Sequence, residues 1–347
     1  MNKRLSQIKE YMKESSLDSL LITDRKNMRY LSGYTGEGYM FIADDLRCIV
    51  TDFRYTYQAS TQTKGFEIYD ISTFKPKYAF GIYQNTGYEN ESITYKSYLS
   101  FKEIFKNLVP VGNELLKIRA VKDIEEINAI KTAEEIGDGA FSHILPYIKP
   151  GVSERDIALE IEFFMRKSGA EALSFDTIVA TGSHGAMAHA EPDERVLLAG
   201  DFVVMDFGCV YNGYCSDMTR TVCVGKATDK MKKVYNTVLK AQLSSLEMLC
   251  DGVKASDVHK NAQSIIDKDY PNCFGHSLGH GVGLDIHELP NLSPKNDTLL
   301  KKGNVVTVEP GIYINDFCGV RIEDLVVIKD GGIENLTHSD KNLIELW

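Results

Sequence analysis

Cysteine is sparse in this sequence and shows no paired spacing: there are seven thiols, an odd number, and no Cys-x-x-Cys string. That excludes a disulfide-built scaffold and fits reduced thiols in a cytosolic chain. Long apolar runs are also missing. No stretch reaches the ~18 residues that a membrane helix needs, so no membrane partner is expected. The opening string MNKRLSQIKEYMKESS is amphipathic and lacks the apolar segment of a signal peptide. A cytoplasmic location is the expectation. Basic charge is short: 39 Lys and Arg stand against 49 Asp and Glu, a formal net of −10. This disfavours a nucleic-acid partner. Nine prolines and 27 glycines exclude a collagen-like chain, and 43% hydrophobic with 25% charged residues excludes a mostly disordered one. What remains is a globular chain of 347 residues, long enough for two domains.

The first ~115 residues read as α/β. An amphipathic helix near Leu5–Met12 precedes short apolar strands at Leu17–Thr23, Tyr39–Ile42 and Cys48–Thr51. This part has no cluster of His or Cys. Tyr30, Tyr34 and Tyr55 are read as half-buried aromatics, with a substrate rim as the alternative. From Ile124 the apolar residues Ile124, Ile127, Ile130, Ala133 and Ile136 recur at helical spacing. The domain boundary is therefore placed near residue 116, giving domains 1–116 and 117–347.

The second domain contains an internal repeat. Gly151-Val152 with Asp156-Ile157 resembles Gly252-Val253 with Asp257-Val258, an offset of 101 residues. Each copy follows a long helical segment, at about 122–147 and 229–250, and opens a second helix with a Ser or Asp cap near its start. Each then reaches a pair of strands, at 202–224 and 304–328. The unit is helix, helix, hairpin, used twice. Two such units predict two helical layers on one central antiparallel sheet, an α+β fold.

In the first hairpin Asn212-Gly213 is a two-residue type I′ turn signal. Paired residue numbers then sum to 425, which sets Asp206 opposite Thr219 and places Asp217 on the same face as Asp206. Two like charges there repel unless a cation sits between them. In the second hairpin a turn centred near Asp316 sets Glu309 opposite Glu323. The Glu309-Pro310 pair requires an edge or a bulge, because proline donates no ladder bond. Between the hairpins, GHSLGHGVGLDIHELP holds His276, His280 and His287, three of the eight histidines. Its glycines argue for strand or irregular backbone at close quarters. His143, His184, His259 and His338 are read as ordinary core or surface residues, and Cys209 and Cys215 as packing.

Four carboxylates and an imidazole form a hard, oxygen-rich donor set that favours Mn²⁺, with Co²⁺, Fe²⁺ or Zn²⁺ as alternatives. Their charge matches two divalent ions. Two ions ~3.5–4 Å apart can polarise a carbonyl and lower the pKa of a shared water. That is the equipment for hydrolysing an amide.

The strings MDFG, SDMTRT, GHGVGLDIHELP, VEPGIY and GVRIEDLVVI resemble, in order and separation, the signature of the pita-bread metallopeptidases. LITDRKNMRYLSGYTGEGYMF and TDFRYTYQA resemble the N-terminal, creatinase-like domain of the Xaa-Pro peptidase branch. The resemblance implies a C-terminal pita-bread domain behind a smaller α/β domain. It implies Asp206 on one metal, His280 and Glu309 on the other, and Asp217 and Glu323 bridging both. It implies that His189 and His287 touch substrate or stabilise the oxyanion. It places His276 just outside the metal ligands or in the lining of the proline pocket, and counts Arg321 with the substrate-binding residues, orienting Glu309 or Asp217 by bidentate pairing. Glu309 would move the proton to the leaving nitrogen. Ala188 stands where the family usually has proline before His189. The implied activity is an Xaa-Pro aminopeptidase acting on proline-containing peptides, with an Xaa-Pro dipeptidase (prolidase) as the alternative and a non-catalytic peptide-binding module behind both. A homodimer is the family expectation.

Overall fold

The computed structural model describes residues 3–347. Its chain forms two compact units that meet in sequence at Ile118 and Arg119.

The N-terminal unit is built on a six-stranded mixed sheet. Helix α1 (Lys3–Glu14) buries Leu5, Ile8 and Met12 at helical spacing. Strand β1 (Ser19–Ile22) is followed by α2 (Arg25–Ser32), β2 (Tyr39–Ala43), β3 (Arg47–Thr51) and α3 (Phe53–Gln62). Then come β4 (Glu67–Asp70), α4 (Pro76–Phe80), β5 (Asn85–Tyr88), α5 (Tyr95–Lys102), β6 (Asn107–Pro110) and α6 (Glu114–Ala120). The strand order is β4-β3-β2-β1-β5-β6. Its core is aromatic, with Phe41 stacked on Phe80 at 4.1 Å between ring centroids. Tyr30 and Tyr34 are buried rather than half-buried. The Tyr34 hydroxyl donates to the Glu37 carbonyl at 2.8 Å, so this ring is core and not a rim.

The C-terminal unit begins with α7 (Ile124–Ile144), entered through a capping box of Asp123 and Glu126. Next come α8 (Glu154–Lys167), β7 (Ala172–Leu173), β8 (Ile178–Thr181) and β9 (Phe202–Phe207). The first hairpin closes through β10 (Cys209–Tyr211), β11 (Tyr214–Cys215) and β12 (Met218–Val224). The second copy repeats the order with α9 (Asp229–Met248), α10 (Ala255–Asp267), β13 (Gly279–Gly281), β14 (Glu288–Leu292) and β15 (Val305–Val308). It ends in β16 (Gly311–Ile314), β17 (Cys318–Arg321), β18 (Asp324–Lys329), β19 (Gly332–Asn335) and β20 (Glu345–Leu346).

The repeat extends to individual hydrogen bonds. Gly151 donates to Leu197, as Gly252 donates to Leu300; Glu154 donates to Arg195, as Ala255 donates to Thr298. The caps differ. Ser153 accepts the Asp156 amide at the head of α8, whereas Lys254 heads α10 and caps nothing. The expected second cap is therefore absent: Ser256 and Asp257 lie inside the helix, where Ser256 donates to Asp297 instead. The expected single sheet is divided into a four-stranded part, β20-β12-β9-β8, and a five-stranded part, β14-β13-β15-β18-β19. They meet where the Glu323 amide donates to the Thr219 carbonyl.

Alternation decides what faces the helices. Val203, Met205, Phe207, Met218 and Val222 pack with Ile136, Ala140 and Ile161 of α7 and α8. Val306, Val308, Val326 and Ile328 pack with Val234, Val238 and Val258 of α9 and α10. The intervening positions Asp206, Thr219 and Thr307 point to the opposite face. The site is assembled there. Since Ser153 satisfies an otherwise orphaned amide, Ser153→Ala should lower stability by about 1 kcal/mol, whereas Lys254→Ser should raise it by several tenths. Paired urea unfolding curves measure both; equal midpoints for the two variants would contradict the cap assignment.

Candidate metal centre

The two hairpins keep the registers their turns dictate. In the first, Asp206 pairs with Thr219 and Val210 with Cys215, so the sum of 425 holds across the whole hairpin. Asn212 and Gly213 have φ of 47° and 78°, the two left-handed residues a type I′ turn requires. In the second, Val308 pairs with Asp324 and Gly311 with Arg321. That register sets Glu309 opposite Glu323, with the left-handed Asp316 at the turn. Glu309-Pro310 falls in the gap between β15 and β16, where the ladder changes sheet. There the Glu309 amide donates to the Leu278 carbonyl at 2.8 Å, which fastens this hairpin to the histidine strand.

His280 is the centre of β13, between two glycines that the packing requires. A Cβ at Gly279 would collide with the Thr307 carbonyl, and one at Gly281 with the Leu289 carbonyl. The backbone can therefore run close enough for His280 Nε2 to stand 3.4 Å from Asp217 Oδ2 and 3.4 Å from Glu309 Oε1. Donor atoms of Asp217, His280 and Glu323 lie within 4.8 Å of one another. Asp206 is held on the same face through Arg321, whose Nη2 lies 2.6 Å from Asp206 Oδ2.

This arrangement is unfavourable without a cation. Burial first, and then the neighbouring carboxylates Asp206 and Glu309, push Asp217 well above the usual carboxylate range. Burial and then Asp217 and Glu309 do the same to Glu323. Glu309 is raised mainly by burial, against the pull of His280 and Arg321. Asp206 Oδ1 and Glu323 Oε1 are buried with no hydrogen-bond partner among the described residues. His280 Nδ1 donates to the Gly281 carbonyl at 3.1 Å, which leaves Nε2, 3.4 Å from two carboxylates, as the nitrogen able to ligate. Orphaned anionic oxygens and an imidazole nitrogen aimed at one volume fit divalent metal ions, and a carbonyl behind the histidine orients the ligating nitrogen.

Around these groups runs a hydrogen-bonded network. Arg321 does not pair in bidentate fashion with Glu309 or Asp217. Its Nε donates to Thr219 Oγ1 at 3.0 Å, and Thr219 is the cross-strand partner of Asp206, so the guanidinium arrives at Asp206. Its Nη1 donates to the Tyr313 hydroxyl at 2.8 Å and to the Ala188 carbonyl at 3.2 Å, the residue before His189. Tyr313 in turn lies 3.0 Å from His276 Nε2, while His276 Nδ1 meets the Ser277 carbonyl at 2.8 Å. The ring is thus a neutral imidazole with its proton on Nδ1. His287 and His189 are exposed. The His287 ring stands edge-on to His280 at 4.3 Å.

Sequence reasoning missed Tyr313. The register held the signal, since Tyr313 pairs with Gly319 and is the diagonal neighbour of Arg321. It also missed Glu134 of α7, which accepts the Asp217 amide at 3.2 Å from behind the site. A second group of candidate ligands, Glu154, His184 and Asp193, is already satisfied. Glu154 accepts from the Thr181 amide at 2.7 Å and meets His184 Nδ1 at 2.9 Å, so it braces a loop.

Two family models match the chain: "Creatinase/Prolidase N-terminal domain" over residues 4–121 and "Metallopeptidase family M24" over residues 128–330. The Xaa-Pro dipeptidase of Pyrococcus furiosus is 36% identical, over 99% of this chain and all of its own length. A solved structure of an Xaa-Pro dipeptidase from Bacillus anthracis superposes with a TM-score of 0.96 at 41% identity, covering 99% of both chains. The X-Pro aminopeptidase of Thermotoga maritima superposes at 0.89 with 36% identity, over 95% of this chain and 98% of its own.

Burial, reinforced by Arg321 and His189, lowers the His276 pKa to about 4. Free histidine protonates at about 6.5, so between these values the unfolded chain binds the extra proton. The stability held by neutral His276 is full above ~6.5 and is lost as pH falls toward 4. A ¹⁵N titration of the imidazoles should find His276 neutral down to about pH 4. A midpoint near the ordinary value would refute the burial of this ring behind the site.

Proposed function

The chain belongs to metallopeptidase family M24, as a pita-bread catalytic domain behind a creatinase/prolidase N-terminal domain, and we propose that it is an Xaa-Pro dipeptidase that works with two divalent metal ions. The observation that carries the reading is that donor atoms of Asp217, His280 and Glu323 lie within 4.8 Å of one another, with Glu309 3.4 Å from His280 and with Asp206 Oδ1 and Glu323 Oε1 unpartnered among the described residues. Full-length similarity to proteins named Xaa-Pro dipeptidase supports this substrate class over the aminopeptidase that the sequence alone ranked first. The X-Pro aminopeptidase of Thermotoga maritima keeps that reading as the alternative.

In this reading Asp206, Asp217, His280, Glu309 and Glu323 are the residues that would hold the ions. Manganese suits the hard donor set. Bound there, the ions supply Lewis-acid charge and a water that is acidic near neutral pH. The chain's own residues do the rest. Glu309 takes the proton of the attacking water and delivers it to the leaving imide nitrogen. His287 is kept neutral by partial desolvation, then by His280 and His189, so its N–H can donate to the carbonyl oxygen as charge builds there. His189 lies on the same exposed rim. Arg321 holds Asp206 and donates to Tyr313, whose hydroxyl meets His276, an imidazole that burial keeps neutral. Proline is selected by shape: its nitrogen carries no hydrogen and its ring fixes φ.

The manganese-loaded protein should hydrolyse Ala-Pro and leave Ala-Pro-Ala intact. Release of alanine from the tripeptide would return the aminopeptidase reading to first place. Chelation should abolish hydrolysis and Mn²⁺ restore it; full activity in metal-free protein would end the metal mechanism. Asp217→Ala removes a shared ligand and should cost at least ~100-fold in kcat, more than loss of an outer-shell partner, and the bound metal should fall with it.

A further inference from the structure

A second cluster of buried charge lies outside the metal ligands. Arg119, Lys122 and Glu288 have side chains only 2%, 1% and 1% exposed. Arg119 Nη2 pairs with Glu288 Oε1 and lies 2.7 Å from Asp285 Oδ2; Lys122 Nζ lies 3.1 Å from Glu288 Oε2. Burial would raise the Glu288 carboxyl, but Lys122 and Arg119 outweigh it and hold the group ionised. A buried ion cluster of this kind is a poor source of stability, because desolvation offsets its Coulomb gain. Its value must be sought in what it fixes.

It fixes one short loop. Glu288 Oε1 accepts the Asp285 amide at 2.9 Å, and Gly283 donates to the Asp285 carbonyl at 3.0 Å. A Cβ on Gly283 would stand 2.6 Å from Glu288 Oε2, so the loop folds directly onto the carboxylate. The Gly283 carbonyl accepts the Cys215 amide at 2.8 Å, two residues before Asp217. Glu288 then enters β14 opposite Gly281, the neighbour of His280. His287 is the residue between this anchor and the loop. On the other side, Lys122 donates to the Gly303 carbonyl at 2.9 Å and Asn304 to the Ala120 carbonyl at 2.8 Å, just ahead of the strand leading to Glu309.

We propose that Glu288, clamped between Arg119 and Lys122, is a positioning residue that sets where His287 stands over His280. The Glu288 carboxylate is occupied by Arg119, Lys122 and the Asp285 amide, so it acts through the loop. This inference rests on the reading above, in which His287 donates to the substrate carbonyl. The cluster joins residues 166 and 169 apart in sequence, so the placement of His287 is tied to the entry of α7.

The test uses the metal-loaded full chain with Ala-Pro as substrate. Glu288→Gln should lower kcat by ~10–100-fold, the scale of an ångström-sized misplacement, with KM and bound metal little changed. The paired variant Lys122→Met/Glu288→Gln removes one charge of each sign and serves if the single variant does not fold. On a His287→Ala background the Glu288 change should cost nothing further, because both act through one group. Additive losses would overturn the proposal, as would an unchanged kcat. A third readout does not need turnover. In the zinc-loaded chain the ¹⁵N resonances of His287 should move on Glu288→Gln while those of His143 stay. If the wild type hydrolyses no Xaa-Pro peptide but His287 moves, the positioning stands and the functional reading fails. If His287 does not move, the positioning fails whatever the activity.

Discussion

Mutual repulsion among four carboxylates is the constraint around which the C-terminal unit is organised. Unit charges ~4 Å apart in a partly buried site repel by about 4 kcal/mol at an effective dielectric of ~20. A chain cannot hold Asp206, Asp217, Glu309 and Glu323 together unless something opposes that repulsion. Part of the opposition is built from protein. Arg321 meets Asp206, and Thr219 donates to Glu323 Oε2 at 2.7 Å. The remainder is left to a ligand: Asp206 Oδ1 and Glu323 Oε1 keep unsatisfied lone pairs in the interior. The fold thus holds a set of donors in a geometry it would not choose for its own stability.

Duplication explains how such a set arises cheaply in topological terms. One helix–helix–hairpin unit delivers two acidic residues to the face opposite its helices. Two units back to back deliver four. The copies are not equal, and their differences carry chemistry. The first copy places His189 on the segment after β8, whose preceding carbonyl is held by Arg321. The second supplies His280 from a strand narrowed by glycines and extends it into the loop of His287. Only the first copy has a side-chain cap on its second helix.

Buried ion clusters recur behind the catalytic face. Arg220 pairs with Asp324 at 2.8 Å, and Lys341 reaches the same carboxylate at 2.6 Å. Arg220 also donates to the Ser339 carbonyl, which pins the C-terminal segment beneath the hairpins. Arg119, Lys122 and Glu288 form the corresponding cluster by the histidine loop. Both sit where a short segment must be held in one position, a role that a non-directional apolar contact fills poorly.

Much of this was legible in the sequence, and the legible part was local. A two-residue turn and a period of two fixed which carboxylates share a face, because register follows from the turn alone. Glycines around His280 announced a close backbone approach, and the order of the strings pointed to the family. What the sequence could not determine was which distant groups meet. Arg321 reaches Asp206 and not Glu309 because Thr219 stands across the strand junction. Tyr313 meets His276 across 37 residues, and Arg119 meets Glu288 across 169. The helix cap expected on α10 gave way to a bond between Ser256 and Asp297, a choice made by the neighbouring loop. The residues and their faces are set by dihedral periodicity, which is written along the chain; their partners are set by packing, which exists only once the two copies have closed on each other.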